Sequence, residues 1–196
     1  MPILQIFYPQ GQLDLKRKTT LAKKLTDILI RMEGGAATNA GRAFATVMMT
    51  ESDAQSWFVG GRLDSTYVAK AGKFVVYVTI PEGYMNAAHK TEVHSWVNAA
   101  IVETMDCQDD PHAGANIMVV INEVPEGNWG ANGKTIGMDS ISASVGLSKE
   151  SERFQWVERY FAAKERALKA ADYPEDMGGV IASVVQATPK STDVAA

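Results

Sequence analysis

The pattern of apolar and polar positions occurs twice in the first two thirds of the chain. Two short apolar runs, residues 3–8 and 75–80, are rich in β-favouring residues, and each ends in Pro-x-Gly. An amphipathic segment follows each run, with apolar residues spaced i, i+4, i+7 and i+8 as one buried helix face requires. These residues are Leu21, Leu25, Ile28 and Leu29 in the first copy and Val93, Val97, Ala100 and Ile101 in the second.

A second apolar run, at residues 44–49 and 117–121, closes each copy. Identical residues then recur 72 positions apart. The pairs are Glu51 and Glu123, Trp57 and Trp129, and Gly61 and Gly133. A constant offset without a gap predicts a tandem duplication of one βαβ unit. Because two strands joined through a helix lie parallel, we expect an α/β (α+β) fold with a four-stranded mixed sheet and two helices on one face.

Two helices leave the other face of this sheet uncovered. A face rich in Val, Ile and Met is a larger apolar patch than monomers normally expose, so we expect it to pack in a homo-oligomer. The segments 57–73 and 129–145 contain glycine turns, and we expect them to be hairpins that cover the edge of a neighbouring subunit.

The pattern changes after residue 147. Ser148, followed by Glu150 and Glu152, indicates the start of a third helix that belongs to neither repeat. A brief apolar run follows at residues 180–185. We therefore divide the chain into a duplicated domain, 1–146 with units 2–70 and 74–142, and a C-terminal helical extension, 147–196. The helix is expected to bury Phe154, Val157, Phe161 and Leu168.

Charge and hydropathy exclude some classes of function. Nineteen basic and 23 acidic residues give a net charge of −4, with no block of like charge to track a phosphate backbone. The chain has no apolar run of the ~20 residues that span a bilayer and no basic region of a signal peptide. We expect a cytoplasmic protein that binds neither nucleic acid nor membranes. The three histidines lack the spacing of metal ligands, so we expect no metal and no cofactor.

Several motifs resemble those of the 4-oxalocrotonate tautomerase superfamily. Pro2 opens the first strand, Gly11 follows that strand, and the second strand leads to an aromatic residue and a Gly-Gly turn. The most specific stretch is residues 121–134, which contains INEVP, NWG and GK. The resemblance covers residues 2–134. It implies a cofactor-independent isomerase that acts on a small carboxylate substrate, and the two fused units imply a homotrimer.

The resemblance implies that Pro2 is the catalytic residue. Once Met1 is removed, Pro2 is a secondary amine, and burial disfavours its charged form. A neutral amine can act as a general base next to a carbonyl. Phe74 holds the matching position in the second copy, so we expect one such proline per chain. A structural interpretation is also open, because proline is tolerated at the first residue of a strand.

Both arginines that are usual in the superfamily are replaced in this chain. Gln12 and Tyr84 stand at the first position in the two copies, and Thr46 and Met118 stand at the second. The histidine that dehalogenase-like members carry on the first helix corresponds to Leu29. Hydrolytic dehalogenation is therefore disfavoured.

Other residues are needed to hold a carboxylate. Arg42 is the nearest substitute, since a guanidinium binds a carboxylate with two hydrogen bonds, and Arg62, Lys134 and Gln12 are further candidates. The resemblance implies that Trp57 and Trp129 line the pocket. For each cation the alternative is a solvated surface charge, and for each tryptophan it is a packing residue.

Three functions are compatible with these residues. The first is a tautomerase in which Pro2 moves a proton on an enol or 2-hydroxydienoate acid. The second is a hydratase, decarboxylase or dehalogenase-like lyase that acts on an unsaturated or β-keto acid with Pro2 as an acid. The third is a non-catalytic binding or assembly protein, which the loss of both arginines favours.

Overall fold

A computed structural model describes residues 2–33 and 38–174, except for the side chain of Val145. The first unit comprises β1 (Ile3–Pro9), α1 (Leu15–Met32), α2 (Asn39–Phe44) and β2 (Thr46–Ser52). The second comprises β3 (Phe74–Pro81), α3 (Ala87–Thr104) and β4 (Ile117–Val124). Five shorter or later elements complete the described chain: a 3-10 helix (Ala54–Ser56), β5 (Gly130–Ala131), β6 (Lys134–Thr135), α4 (Met138–Val145) and α5 (Glu152–Ala170).

The two long helices of the repeat each begin after a residue whose side chain caps the helix. Asp14 caps α1 by accepting a hydrogen bond from the backbone N–H of Arg17. Asn86 caps α3 by accepting a hydrogen bond from the backbone N–H of His89. Helix α1 ends at Met32. The Gly34-Gly35 pair, which we predict to stop it, lies outside the described residues.

The sheet has the strand order β2-β1-β3-β4. The pairs β1–β2 and β3–β4 are parallel, whereas β1 and β3 are antiparallel. Ile3 pairs with Thr46 in the first unit, and Val75 pairs with Met118 in the second, which is the same register at the offset of 72 residues. The four-stranded mixed sheet is therefore confirmed, and an approximate two-fold axis between β1 and β3 relates the two units.

Helices α1 and α3 lie side by side and cover one face of the sheet. The strands alternate so that Leu4, Ile6, Val76 and Val78 point towards these helices and are fully buried. Each apolar side chain of this size contributes roughly 1.5–3 kcal/mol when it is fully buried. The predicted helix residues meet these strand residues, because Leu21, Leu25, Leu29, Val93, Val97 and Ile101 belong to the same core.

The other face of the sheet carries large exposed apolar side chains. Met118 is 62% exposed and Met48 is 41% exposed, on the two outer strands. Between them, the rings of Phe7 and Tyr77 make an edge-on contact with centroids 6.0 Å apart. This is the uncovered face that the sequence predicts.

Two sequence-based predictions about local structure are wrong, and a third is right only in part. The run 44–49 does not begin a strand at residue 44, because Thr38 caps the short helix α2 and β2 starts only at Thr46. The segment 57–73 contains one isolated bridge, between Val59 and Arg62, instead of a hairpin. The segment 129–145 does contain a hairpin, β5–β6, but its second half folds into α4.

Helix α5 starts later than predicted. Ser151 caps it by accepting a hydrogen bond from the backbone N–H of Phe154, whereas Ser148 interacts with Glu150 in the preceding turn. Phe154, Val157 and Phe161 of the predicted apolar stripe are buried and dock this helix on the duplicated domain, whereas Leu168 is only half-buried. A second apolar cluster results, which consists of Tyr84, Met138, Ile141, Phe154, Val157 and Phe161. The apolar run at residues 180–185 lies outside the described residues.

Candidate active site

Pro2 is buried at the start of β1. Its carbonyl oxygen accepts a 3.3 Å hydrogen bond from the backbone N–H of Thr46, at the start of β2. On the other side, Ile3 pairs with Thr79 of the antiparallel strand β3. Pro2 therefore lies at the end of the sheet where β1 and β2 begin and where β3 and β4 end. We call this the proline end.

A cavity of about 260 Å³ opens at the proline end. Glu33, Phe44 and Lys134 line it, from the end of α1, the end of α2 and strand β6, and helix α4 closes one side with Ile141. Pro2 is not among the residues that line it, but Phe44 of the lining is only two positions before Thr46, whose backbone N–H donates to the carbonyl oxygen of Pro2. A mostly apolar cavity with one carboxyl group and one ammonium group suits a small carboxylic acid.

Glu33 is a buried carboxyl group in this cavity. Burial raises the pKa of Glu33, because a charged carboxylate is poorly solvated there, while the nearby charge of Arg153 acts in the opposite direction. Arg153 reaches this end of the fold from α5, and its guanidinium donates a hydrogen bond to the backbone carbonyl of Met32. The C-terminal extension therefore contributes a cation next to the cavity.

Two further acidic groups are buried at the proline end. Glu126 is 3% exposed and Tyr84 is 6% exposed. Glu126 Oε1 accepts a 3.1 Å hydrogen bond from the backbone N–H of Met138 at the start of α4. Among the described residues, Glu126 Oε2, the hydroxyl oxygen of Tyr84 and Trp129 Nε1 are buried without a hydrogen-bond partner. Unpartnered buried polar atoms are rare in folded proteins and are a feature of ligand sites.

The environment raises the pKa values of these groups. Burial is the main reason that the pKa values of Glu126 and Tyr84 are raised. The negative charges of Glu126 and Glu33 raise the pKa of Tyr84 further, so Tyr84 interacts with both carboxyl groups. Acids with raised pKa values can exchange a proton with a substrate.

The predicted site residues lie at both ends of the sheet. Trp129 lies at the proline end and is 8% exposed. Arg42 also lies there, on α2, but its guanidinium lies 2.9 Å from Oδ1 of Asp27 and forms an ion pair. An arginine that already holds a carboxylate is a weaker candidate for binding a substrate.

Gln12, Trp57 and Arg62 lie at the opposite end of the sheet. The side-chain amide of Gln12 exchanges hydrogen bonds with the backbone of Lys73, and Nζ of Lys73 donates a 2.9 Å hydrogen bond to the carbonyl oxygen of Trp57. Arg62 forms an ion pair with Asp64. Within one chain, these three candidates therefore do not meet Pro2.

The antiparallel arrangement of the two units explains this separation. The two-fold axis places corresponding residues of the two units at opposite ends of the sheet. The counterparts of Gln12, Trp57 and Arg62 at the offset of 72 are Tyr84, Trp129 and Lys134, and these lie at the proline end. Adding the offset of 72 to the numbers of Gln12 and Arg62 could thus have identified Tyr84 and Lys134 as residues of the proline end. Arg153 lies outside the repeat, and no sequence signal indicates its position.

Solved structures of tautomerases have the same architecture. A fused 4-OT (4-oxalocrotonate tautomerase) wild type asymmetric trimer is 21% identical, with a TM-score of 0.54, over 68% of this chain and 94% of that chain. A fused 4-OT wild type symmetric trimer is 20% identical, with a TM-score of 0.53, over 72% of this chain and 98% of that chain. The chain has the tautomerase fold.

The chain with this tautomerase fold is also similar to a solved structure from a dehalogenase family. N1, a member of the cis-3-chloroacrylic acid dehalogenase family, is 19% identical, with a TM-score of 0.57, and the match covers 86% of this chain and 96% of that chain. No family model matches the sequence, and no curated protein matches it. The likeness is therefore one of fold.

Two further findings apply to residues 2–33 and 38–174. These residues contain no group of three His, Cys, Asp or Glu side chains that could hold a metal ion. None of the helices in this part of the tautomerase fold is long and apolar enough to cross a bilayer.

Proposed function

We propose that the chain is a fused member of the 4-oxalocrotonate tautomerase superfamily and a cofactor-independent isomerase of small enol or 2-hydroxydienoate acids. The observation that carries this proposal is the position of Pro2, buried at the start of β1 and close to a cavity with a carboxyl and an ammonium group. Removal of Met1 turns Pro2 into a secondary amine. Burial disfavours the ammonium form, which makes the amine a base near neutral pH.

Lys134 and Trp129 are the proposed substrate-binding residues at the proline end of the same chain. Lys134 lines the cavity, and the described residues form no ion pair with it, so its ammonium group can hold a carboxylate. Arg42 could take this role only by leaving Asp27. Gln12, Trp57 and Arg62 can line a site with Pro2 only if a second copy of the chain supplies them.

A homotrimer is part of the proposal. The uncovered face carries Met48 and Met118, and burial of such a face between subunits removes apolar surface from water. The fused 4-OT structures with this fold are trimers.

A lyase reaction is the second candidate function. Buried acids with raised pKa values, Glu33 and Glu126, surround the proline end and can donate or accept a proton during the addition of water. In this reaction Pro2 is cationic and acts as an acid on an unsaturated or β-keto acid. The match to N1, a member of the cis-3-chloroacrylic acid dehalogenase family, covers 86% of this chain and supports an unsaturated acid as the substrate.

Mass spectrometry and a pH profile test the proposal together. Intact mass of the native protein should show complete loss of Met1, because a retained Met1 would leave Pro2 without a basic nitrogen. Turnover is then measured on a panel of enolic, 2-hydroxydienoate, acrylic and chloroacrylic acids. A rate that rises with pH through the pKa of Pro2 indicates a base, and a rate that falls indicates an acid.

Pro2→Ala gives the matched control for this assay. The variant keeps a buried strand start but has a primary amine at its terminus, and we expect it to lose most of its turnover while its melting temperature changes little. No turnover by the native protein on the whole panel would favour the third function, a binding or assembly protein.

A further inference from the structure

A groove of about 540 Å³ separates the start of α3 from the first two turns of α5. His89 lines it from α3, and Arg153, Trp156 and Arg159 line it from α5. The cavity beside Pro2 has none of these four residues in its lining. The groove is therefore distinct from that cavity, although Arg153 also acts on Glu33 of the cavity lining.

Basic side chains outnumber acidic ones among the residues that line the groove. Arg153 and Arg159 provide two guanidinium groups, and Glu152 is the one carboxylate in its lining. Within residues 2–33 and 38–174, neither arginine takes part in an ion pair. Arg153 is partly buried, and its guanidinium is oriented by the backbone carbonyl of Met32. A guanidinium held in place with donors to spare favours binding of an oxyanion.

His89 adds a second, independent polar feature. Its Nδ1 atom is buried and has no hydrogen-bond partner among the described residues. Burial, and then the charge of Arg153, lower the pKa of His89, so the imidazole is neutral at pH 7 and adds no charge to the groove. His89 lies in the first turn of α3, where the helix dipole also favours an anion.

We propose that this groove binds a small organic monocarboxylate. The lining has two guanidinium groups and one carboxylate, and the carboxylates of Glu92 and Glu33 also act on Arg153, so the small net charge matches a monoanion better than a dianion. The indole of Trp156 provides an apolar surface for the hydrocarbon part of the ligand. The carboxylate lies between Arg153 and Arg159.

Benzoate is the probe, because it is an aromatic monocarboxylate of fitting size. The full-length protein is titrated by calorimetry, and tryptophan fluorescence gives a second readout through Trp156. Arg159→Gln should weaken benzoate binding about 10- to 100-fold, the usual effect of losing one charge-assisted hydrogen bond. Arg166→Gln, an exposed arginine of the same helix outside the groove, should leave the affinity unchanged.

Further variants assign the binding to the groove. Lys134→Gln removes the ammonium group of the cavity beside Pro2, and it should leave benzoate affinity unchanged. Arg153→Gln should weaken binding as Arg159→Gln does, and circular dichroism checks that α5 is still docked. These measurements require no turnover, so they are independent of the proposed reaction of Pro2.

Four results would overturn the proposal. The first is an Arg159→Gln variant that binds benzoate as tightly as the native protein. The second is equally tight binding of the neutral isostere benzamide, which would make the interaction purely apolar. The third is tighter binding of inorganic phosphate than of benzoate, which would assign the groove to a dianion. The fourth is the absence of saturable benzoate binding by the native protein.

Discussion

Nζ of Lys164 lies 2.6 Å from Oε2 of Glu82, and this ion pair joins α5 to the turn between β3 and α3. The hydroxyl group of Tyr160 donates a 2.6 Å hydrogen bond to Oε1 of the same carboxylate. Both partners of the ion pair are largely shielded from solvent. Glu82 is thus the polar anchor of the C-terminal helix, next to the apolar cluster around Phe161.

Glu82→Gln should destabilise the protein by about 1.5–3 kcal/mol, the range for hydrogen bonds to charged groups. The amide can still accept a hydrogen bond, but Lys164 loses its opposite charge. The difference in free energy of unfolding is measured in urea at pH 7. Glu165→Gln is the control, because its ion pair with Lys169 lies within α5 and does not contribute to docking. An equal effect of both variants would contradict the anchoring role.

The stabilisation by Glu82 should depend on pH in a defined direction. Burial raises the pKa of Glu82, but the hydrogen bonds from Lys164 and Tyr160 outweigh it and hold the pKa below its ordinary value of 4.5. A carboxyl group with a lowered pKa in the folded state stabilises the fold above pH 4.5 and loses this effect as the pH falls through the folded-state pKa. The gap in melting temperature between native protein and Glu82→Gln should therefore close towards pH 3.

Glu126 should show the opposite pH dependence. Burial raises its pKa, so the folded state retains a proton that the unfolded state releases, and stability falls as pH rises above the ordinary value of 4.5. Glu126→Gln removes this cost and keeps an acceptor for the backbone N–H of Met138. We expect the variant to be more stable than the native protein at pH 8, by on the order of 1 kcal/mol, the scale of one poorly solvated buried polar group.

The melting temperatures of the native protein and Glu126→Gln should converge at pH 4, where the native carboxyl is protonated as well. Glu126→Ala separates charge from capping, because it also removes the acceptor at the start of α4 and should be less stable than Glu126→Gln at every pH. A stabilised variant with lower turnover would indicate that the buried acid is retained for function.

Much of the fold follows from the offset of 72 residues. Ile3 of β1 and Val75 of β3 occupy corresponding positions, and their strand partners Thr46 and Met118 correspond as well. A repeat of this kind determines strand, helix and strand in each unit. The relative direction of the two units decides which side chains share an end of the sheet, and short-range patterns contain no information about it.

The site was harder to predict for the same reason. Trp57 and Trp129 are equivalent in sequence, yet only Trp129 lies at the proline end. Glu126 stands in a turn after β4, where no periodicity distinguishes a buried carboxyl group from a solvated one. It is buried because α4 folds back and offers the backbone N–H of Met138, in a segment that the pattern predicts as a hairpin.

Lys134 and Arg42 can be distinguished by kinetics. If Lys134 holds the carboxylate of the substrate, Lys134→Gln should raise KM about 10- to 100-fold with a smaller change in kcat, since it removes one charge-assisted contact. Arg42→Gln should have little effect on KM, because this guanidinium is paired with Asp27. The reverse order of effects would assign the carboxylate to Arg42 and would require the pair with Asp27 to open on binding.

Lysine substitution on the uncovered face should dissociate the proposed trimer. Met118→Lys places a charge at the most exposed large apolar residue of that face, and a buried unpaired ammonium group costs several kcal/mol. Multi-angle light scattering should then report a monomer of about 21.2 kDa in place of three chains. Leu15→Lys is the matched control, because Leu15 is exposed at the start of α1 and away from the sheet.

The same two variants test where Gln12, Trp57 and Arg62 act. If a second copy brings these residues to Pro2, Met118→Lys should lose turnover together with the trimer, while Leu15→Lys should keep both. A monomeric Met118→Lys variant with full turnover would restrict the site to the residues of one chain, namely Pro2, Lys134 and Trp129. A trimeric Met118→Lys variant would show that the subunits meet through another surface.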